Sequence, residues 1–172
     1  MKPLRRALLI GLALLVAAGA GAYLRARVFR LVRVAGASME DTLRGGDLAL
    51  VTRLDYADRA PERGDVVECR FPGRDGTYIK RVVGLPGDEV AFSGGQLFLN
   101  GAATDEPYAS TPTDDYAVAL GEDEYLLLGD NRPESYDSRM DDMGPVRAAD
   151  ILGRARWILY PLNRFGPIQT KS

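Results

Sequence analysis

The sequence predicts a mainly β fold, built from short antiparallel strands, behind one apolar N-terminal helix. Short runs rich in Val, Leu, Tyr and Phe are separated by turn signals such as "ERGD", "LPGD" and "SGG". Polar and apolar residues alternate in "TYIKRVV" and "QLFLNG", as they do in half-buried strands. The Asn100-Gly101 pair is typical of a tight hairpin between two strands.

The N-terminal helix is predicted from an uncharged run, "ALLIGLALLVAAGAGAYL", at residues 7–24 between two groups of basic residues. As a helix this run is roughly 27 Å long, close to the ~30 Å hydrocarbon thickness of a membrane. A cleavable secretory signal is the competing interpretation, because of the "AGA" triplets. The length of the run and the arginines directly after it favour a retained anchor. We therefore expect four parts: an N-terminus (1–6), a transmembrane anchor (7–24), a basic juxtamembrane segment (25–33) and a body (34–172).

The body should contain little helix. "SMEDTLR" could form one turn with Ser38 at its N-terminal cap, and "AADIL" is a second short candidate. The polar stretch "TDEPYASTPTDDYAVALGEDE" is expected to be a long exposed connection.

Composition excludes several classes of function. The 172-residue chain has no histidine, which excludes Ser/His/Asp and Cys/His catalysis and histidine-ligated zinc. Its single cysteine, Cys69, cannot form a disulfide within the chain and is expected to pack in a strand. From Val34 onward 15 basic residues face 24 acidic ones, so the body is a poor candidate for binding nucleic acid. No metal site is expected.

Lys80 is the one lysine inside a chain that otherwise uses arginine. Of 22 basic residues 19 are arginine, and the other lysines lie within two residues of an end. A desolvated amine can lose its proton and act as a base, whereas a guanidinium cannot. On a strand, Lys80 would share a face with apolar neighbours. The alternative is an ordinary surface lysine on an edge strand.

Ser38 is the best placed of the six serines to act as a nucleophile. It follows Gly36 and Ala37, which allow close backbone approach, and it begins a predicted turn whose N–H groups could face a developing oxyanion. The alternative is a serine that only caps a helix.

Four segments carry a resemblance to a known family: "GASMEDTLRGGDLALV", "YIKRVVGLPGDEV", "LFLNG" followed by "DEPY", and "LLLGDNRPESYDSRMDDMGPVRAADILGRA". In order and spacing they resemble the bacterial type I signal peptidases. With the anchor in front, the resemblance covers nearly the whole chain. It implies the antiparallel catalytic domain shared by signal peptidases and self-cleaving repressor proteases.

The resemblance also implies residue roles. Ser38 would be the nucleophile and Lys80 the general base of a Ser/Lys dyad. Ser135 would orient the lysine amine, while Asp137 and Arg139 would form a charged pair that supports the site. A substrate strand would dock between the segments around 31–35 and 78–80, with four residues forming the substrate-binding walls: Val34, Met39, Tyr78 and Ile79. Gly129, Asp130 and Asn131 match a tight turn of the family.

Two positions depart from the family pattern. Asp41 stands where the family usually has proline. Gly36 stands where some members carry a serine that helps to hold the oxyanion, so stabilisation would depend mainly on backbone N–H groups, chiefly that of Ser38.

The resemblance implies a membrane-bound serine endopeptidase that removes signal peptides from exported preproteins. Its partners would be signal peptides and membrane lipid, with no cofactor, no nucleic acid and no obligate protein partner. We expect a single-pass protein of the cytoplasmic membrane with its N-terminus inside and its catalytic domain outside. A self-cleaving repressor-type Ser/Lys protease and a non-enzymatic anchored β module are the alternatives.

Overall fold

The structure is a computed structural model that describes residues 2–40 and 42–170, with no side-chain detail for Lys2, Leu4 and residues 24–27. These residues form one α-helix, four short 3-10 turns and twelve strands. The helix and strands are α1 (Lys2–Arg27), β1 (Phe29–Arg33), β2 (Leu48–Thr52), β3 (Val66–Cys69), β4 (Tyr78–Gly84), β5 (Glu89–Ser93), β6 (Gln96–Leu99), β7 (Ala102–Thr104), β8 (Tyr116–Ala119), β9 (Glu124–Leu128), β10 (Val146–Arg147), β11 (Ile151–Tyr160) and β12 (Gly166–Pro167).

The strands form two antiparallel sheets, which confirms the predicted fold class. The larger sheet has the order β1-β2-β11-β3-β4-β9-β10. Its eighth strand, β12, pairs with Trp157 and Ile158 of β11. The smaller sheet has the order β7-β6-β5-β8 and is built from chain inserted between β4 and β9. Strands β4 and β9 therefore join the two sheets.

Helix α1 extends beyond the predicted anchor at both ends. Its stretch Arg5–Tyr23 is long and apolar enough to cross a membrane, and none of it is buried by the rest of the protein. Strand β1 lies inside the segment 25–33 that the sequence suggested as a juxtamembrane link. Because β1 pairs with β2 in register from Phe29 to Arg33, the sheet begins at Phe29 rather than at Val34.

Three clusters of buried apolar side chains hold the sheets together. The first core packs the loop after β1 against β2, β3 and β11; it contains Val34, Met39, Leu43, Ala49, Val51, Val66, Ala155, Ile158 and Ile168. The second core lies on the other face of β3 and β4; it contains Val67, Cys69, Phe71, Val82, Tyr125, Leu127, Met143, Val146 and Ile151. The third core fills the space between the two sheets; it contains Val83, Val90, Phe92, Leu97, Leu99, Leu120, Leu126 and Leu128.

Local predictions were mostly right. Asn100 and Gly101 both have positive φ, 51° and 80°, as a tight turn between β6 and β7 requires. The N–H of Leu43 donates to the carbonyl of Met39 at 2.7 Å, which gives the predicted single turn after Ser38. The second helical candidate forms a 3-10 turn at Ala148–Asp150. Cys69 packs inside a strand, as expected.

The polar connection before β9 was predicted wrongly in part. Its residues Tyr116–Ala119 form strand β8, which pairs with β5. Tyr116 and Val118 pack against the third core, and Thr113 is buried. Only two apolar side chains alternate in this strand, which makes the pattern too short to stand out from the acidic residues around it.

Candidate active site

Strand β4 carries Lys80 into the interior. Lys80 pairs in register with Val67 of β3, while pairing with β9 begins only at Arg81. In the part of the chain that the structure describes, the edge of Tyr78, Ile79 and Lys80 that faces away from β3 therefore has no strand partner. The predicted alternation holds, since Tyr78 packs against the second core and Ile79 against the first.

The Lys80 side chain is 2% exposed and points at a serine hydroxyl. Its Nζ donates to Oγ of Ser135 at 3.1 Å. Burial lowers the pKa of Lys80, against the opposing effect of the Asp137 carboxylate and a smaller lowering by Arg139. Lys80 forms no ion pair within 4 Å among the described residues. The amine is therefore desolvated, and no paired carboxylate stabilises its charged form.

Asp137 and Arg139 form a two-point ion pair directly behind Ser135. The Arg139 Nε lies 2.9 Å from one Asp137 oxygen and its Nη2 lies 3.0 Å from the other. Asp137 is fully buried. Burial raises its pKa, but hydrogen bonds from Arg139, Ser135 and the Gly129 N–H together lower that pKa below its usual value. Arg139 also donates to the carbonyls of Arg132 and Ser135, which fixes the segment that carries Ser135.

Ser38 lies in the loop after β1, where Gly36 takes a positive φ of 81° that favours glycine. Asn131 ties this loop to the segment after β9. Its backbone N–H donates to the Ser38 carbonyl and its side-chain Nδ2 to the Ala37 carbonyl, both at 3.1 Å. The backbone of the candidate nucleophile is thus held from the opposite wall of the site.

Gly129 is the junction between the candidate nucleophile and the candidate base. A Cβ at this position would collide with the side chain of Ser135 and with the carbonyl oxygen of Ser38. Only glycine lets the two segments approach this closely. Ser38 and Lys80 are therefore neighbours across Gly129 and Ser135.

The Ser38 side chain is half-buried. Among the described residues, neither its hydroxyl nor its backbone N–H makes a hydrogen bond. Both groups are available to a bound peptide. Catalytic hydrogen bonds in a substrate-free enzyme are often long and tighten only when the substrate binds.

The four predicted substrate-binding residues divide between the two faces of β4. Val34 and Met39 are buried in the first core, and the half-buried Ile79 packs against that core. Tyr78 packs on the opposite face, edge-on to Phe71 with ring centroids 5.3 Å apart. Asp41, where the chain departs from the family proline, lies outside the described residues.

The sequence analysis did not predict a buried ion pair that lies beside the site. Arg81, the neighbour of Lys80, donates through Nε and Nη2 to the two oxygens of Asp130 at 2.8 and 2.7 Å. Thr42, from the turn after Ser38, donates to the same carboxylate at 2.5 Å. The Arg81 guanidinium also lies 4.3 Å above the centre of the Tyr108 ring. The turn at Asp130 therefore supports the site as well as shaping the chain.

Comparisons with known proteins agree with this geometry. A family model described as signal peptidase, peptidase S26, matches residues 5–160. The chain belongs to this family. The probable signal peptidase I-2 of Synechocystis sp. is 39% identical over 141 residues, which cover 77% of this chain and 64% of that protein. The signal peptidase I of Leptolyngbya laminosa is 34% identical over 169 residues, which cover 92% of this chain and 80% of that protein.

A solved structure gives the same result for the fold. The crystal structure of a signal peptidase I from Enterococcus faecalis V583 superposes with a TM-score of 0.52 and 30% sequence identity, over 56% of this chain and 97% of that one. The predictions of a signal peptidase, and hence of a serine endopeptidase, are confirmed. Neither the repressor-type protease nor the non-enzymatic module is favoured.

Proposed function

We propose that this chain cleaves signal peptides from exported preproteins with Ser38 as nucleophile and Lys80 as general base. The observation that carries the proposal is the buried Lys80 amine, which lacks an ion pair in the described structure and donates to Ser135 beside the Ser38 segment. A neutral amine in this place can accept the proton of the Ser38 hydroxyl.

In the reaction, the Ser38 oxygen attacks the carbonyl carbon of the scissile peptide bond while Lys80 takes the hydroxyl proton. The backbone N–H of Ser38, which has no partner among the described residues, holds the oxyanion that forms. Lys80 then gives its proton to the leaving amine. Water, activated by the same amine, releases the signal peptide from Ser38. Ser135 keeps the lysine in place, and Asp137 with Arg139 keeps Ser135 in place.

The signal peptide docks as an extended strand in the cleft between β1 and the first residues of β4. Strand β1 pairs only with β2 among the described strands, so its outer edge is open, as is the edge of Tyr78–Lys80. A peptide can therefore hydrogen-bond to both edges. Its side chains alternate between two faces. The first and third residues before the cut face Val34, Met39 and Ile79, and the second faces Tyr78.

Helix α1 anchors the protein as a single-pass segment in the cytoplasmic membrane, with residues 1–6 inside and the catalytic domain outside. Signal peptides present their cleavage site at the outer membrane face, which places the site on that side. Ser38 lies 14 residues beyond Leu24, at most roughly 50 Å of chain, so the site stays near the lipid. Lipid and signal peptides are the partners; nucleic acid, cofactors and an obligate protein partner play no part.

The test is cleavage of a purified preprotein by the full chain in detergent. Wild type should release the signal peptide, whereas Ser38→Ala and Lys80→Arg should each lower kcat by at least about 1000-fold, because one lacks the nucleophile and the other keeps its charge. Ser93→Ala, which changes an exposed serine at the end of β5, is the matched control and should cleave as wild type does. Normal turnover by pure Lys80→Arg would exclude Lys80 as the base.

A further inference from the structure

The segment "DEPY" at residues 105–108 is one of those that resemble the family, but the proposed mechanism gives it no role. It lies in the chain between β7 and β8, within the part of the fold that is inserted between β4 and β9. Two of its side chains, Glu106 and Tyr108, contact buried arginines near the site. Both arginines bind the turn that follows β9, so the segment reaches the site through them.

Arg132 forms a buried two-point ion pair with Glu106. Its Nη2 lies 2.5 Å from one Glu106 oxygen, and its Nη1 lies 3.0 Å from the other. The Arg132 and Glu106 side chains are only 2% and 9% exposed. Nη1 also donates to the hydroxyl of the buried Thr113. Glu106 is the only carboxylate paired with this guanidinium among the described residues, so it compensates the buried charge.

The third nitrogen of the same guanidinium holds the backbone of the site. The Nε of Arg132 donates to the carbonyl of Gly129 at 2.9 Å. Gly129 is in such close contact with the Ser38 carbonyl oxygen and the Ser135 side chain that no Cβ fits there. A shift of Gly129 therefore disturbs both neighbours. The contacts from Glu106 through Arg132 to Gly129 thus join the inserted segment to the junction between the proposed nucleophile and the serine that orients the base.

Tyr108 brings the same segment to the second buried arginine. The guanidinium of Arg81 lies 4.3 Å from the centre of the Tyr108 ring, and the Tyr108 hydroxyl donates to the Glu106 carboxylate at 3.0 Å. Two residues later, the backbone N–H of Ser110 donates to the carbonyl of Asp130 at 3.2 Å. The Glu106 carboxylate therefore lies where the contacts to both arginines meet.

We propose that Glu106 is a positioning residue for the reaction of Ser38 and Lys80, and that it acts through Arg132 on Gly129. This inference rests on the proposed function and adds a residue to it. Without the Glu106 charge, the Arg132 guanidinium is buried without an ion pair, which favours its movement towards water. The Gly129 carbonyl then loses its donor, and the junction beside it loosens. Small displacements of catalytic groups lower the rate strongly, so the effect should appear in kcat.

The test measures kcat and KM of the full chain in detergent on one preprotein, well below the melting temperature. Glu106→Gln keeps the size and one acceptor oxygen, and it should lower kcat per folded molecule by about tenfold or more. KM should change by less than about twofold, because Glu106 makes no printed contact with β1 or with residues 78–80, where the peptide would dock. Asp88→Asn is the matched control, since the buried Asp88 accepts from Arg63 at 2.8 Å and its partners lie outside the site. It should lower the melting temperature as Glu106→Gln does, yet keep the wild-type kcat per folded molecule.

Thr113→Val covers the case in which Glu106→Gln does not fold. It removes the neutral acceptor of Arg132 and keeps the ion pair, so kcat should fall by about threefold. A wild-type kcat per folded molecule in Glu106→Gln, or in Thr113→Val if Glu106→Gln does not fold, would overturn this inference and leave the proposed function intact. An equal loss of kcat in Asp88→Asn would do the same. Failure of wild type to cut any preprotein would overturn the proposed function and this inference with it.

Discussion

Lys80 and Arg81 are consecutive residues on β4, and both are almost completely buried, with 2% and 1% exposure. Their surroundings differ completely. Arg81 donates to both oxygens of Asp130 and to the carbonyl of Gly64 at 2.7 Å, and its guanidinium lies over the face of the Tyr108 ring. Lys80 donates to one neutral hydroxyl, that of Ser135. One strand therefore carries one fully compensated cation and one amine that burial pushes towards its neutral form.

The difference follows from the chemistry of the two side chains. A guanidinium stays charged at any physiological pH and presents a planar fork that fits a carboxylate. An amine can give up its proton when water is removed and no carboxylate is paired with it. Because the two side chains point to opposite faces, the fold can neutralise Arg81 without also pairing Lys80. The contrast leads to three predictions, the first of which has the largest expected effect.

Removing each cation in turn should change stability in opposite directions. Arg81→Met leaves the Asp130 carboxylate buried and unpaired, so the free energy of unfolding in detergent should fall by about 3–5 kcal/mol. Lys80→Met removes a desolvated amine and keeps its packing, so the free energy of unfolding at neutral pH should rise by roughly 0.5–2 kcal/mol while activity is lost. Urea unfolding of the two variants beside wild type measures both effects.

The pH dependence of the stability gain in Lys80→Met shows whether the gain comes from removing a buried ionisable amine or from a change in packing. Since the pKa of Lys80 is lowered in the folded state, the unfolded chain binds this proton more tightly and the group destabilises the folded protein. The cost is complete below the folded pKa and disappears as the pH rises to the unfolded value near 10.4. The stability gain of Lys80→Met should therefore shrink with rising pH. A gain that does not change with pH would contradict the proposed state of Lys80.

Features encoded by neighbouring residues could be predicted from the sequence. The alternation around Lys80 gave the correct faces of β4, and Asn100-Gly101 gave a correct turn, since both depend on a few adjacent residues. Strand β8 was not predicted because this segment is a strand mainly through its pairing with β5, and that pairing joins residues far apart in the chain. The resemblance to a family, rather than periodicity, supplied the roles of Ser135, Asp137 and Arg139.

The missed parts of the site are long-range contacts. Arg81 and Asp130 are 49 residues apart, and the buried Glu68 of β3 forms an ion pair with Arg30 of β1, although β2 and β11 lie between these strands in the sheet. An arginine in a strand reads as a solvent-facing residue, and an isolated acidic residue in "VVEC" gives no sign of what lies opposite. A useful hint was available in the alternation, which placed Arg81 on the face of two apolar residues, Ile79 and Val83. A cation on an apolar face requires a partner.

The second prediction compares two serines of the same segment, both buried. Ser135 accepts from the Lys80 amine, whereas Ser138 accepts from the backbone N–H of Leu127 at 3.1 Å. Ser135→Ala removes the contact that orients the base, so kcat should fall by about 100-fold with little change in melting temperature. Ser138→Ala leaves a buried N–H unpaired, so it should lose about 1–3 kcal/mol of stability and keep kcat near the wild-type value.

The test measures kcat on one preprotein and the free energy of unfolding for both variants. Ser135→Ala should lose activity but not stability, and Ser138→Ala should lose stability but not activity. A kcat close to wild type in Ser135→Ala would remove Ser135 from the site. Ser135→Thr, which retains a hydroxyl, should recover part of the activity if the hydrogen bond to Lys80 is the cause.

The third prediction concerns the pH dependence of the wild-type enzyme. If neutral Lys80 is the base, kcat/KM should rise by about tenfold per pH unit at low pH and level off near the pKa of Lys80. Burial lowers that pKa, so the plateau should begin below the value of ~10.4 of an ordinary lysine. The chain has no histidine, so no imidazole can produce such a limb near neutral pH.

A single substitution can assign this limb to Lys80. The Asp137 carboxylate opposes the effect of burial by raising the pKa of Lys80, so Asp137→Asn should move the rising limb to lower pH even if it lowers the maximal rate. The profile should be recorded under conditions in which chemistry limits the rate. A rate that is flat from about pH 5 to 9, or a limb that Asp137→Asn leaves in place, would mean that the proton of Ser38 goes to a group other than Lys80.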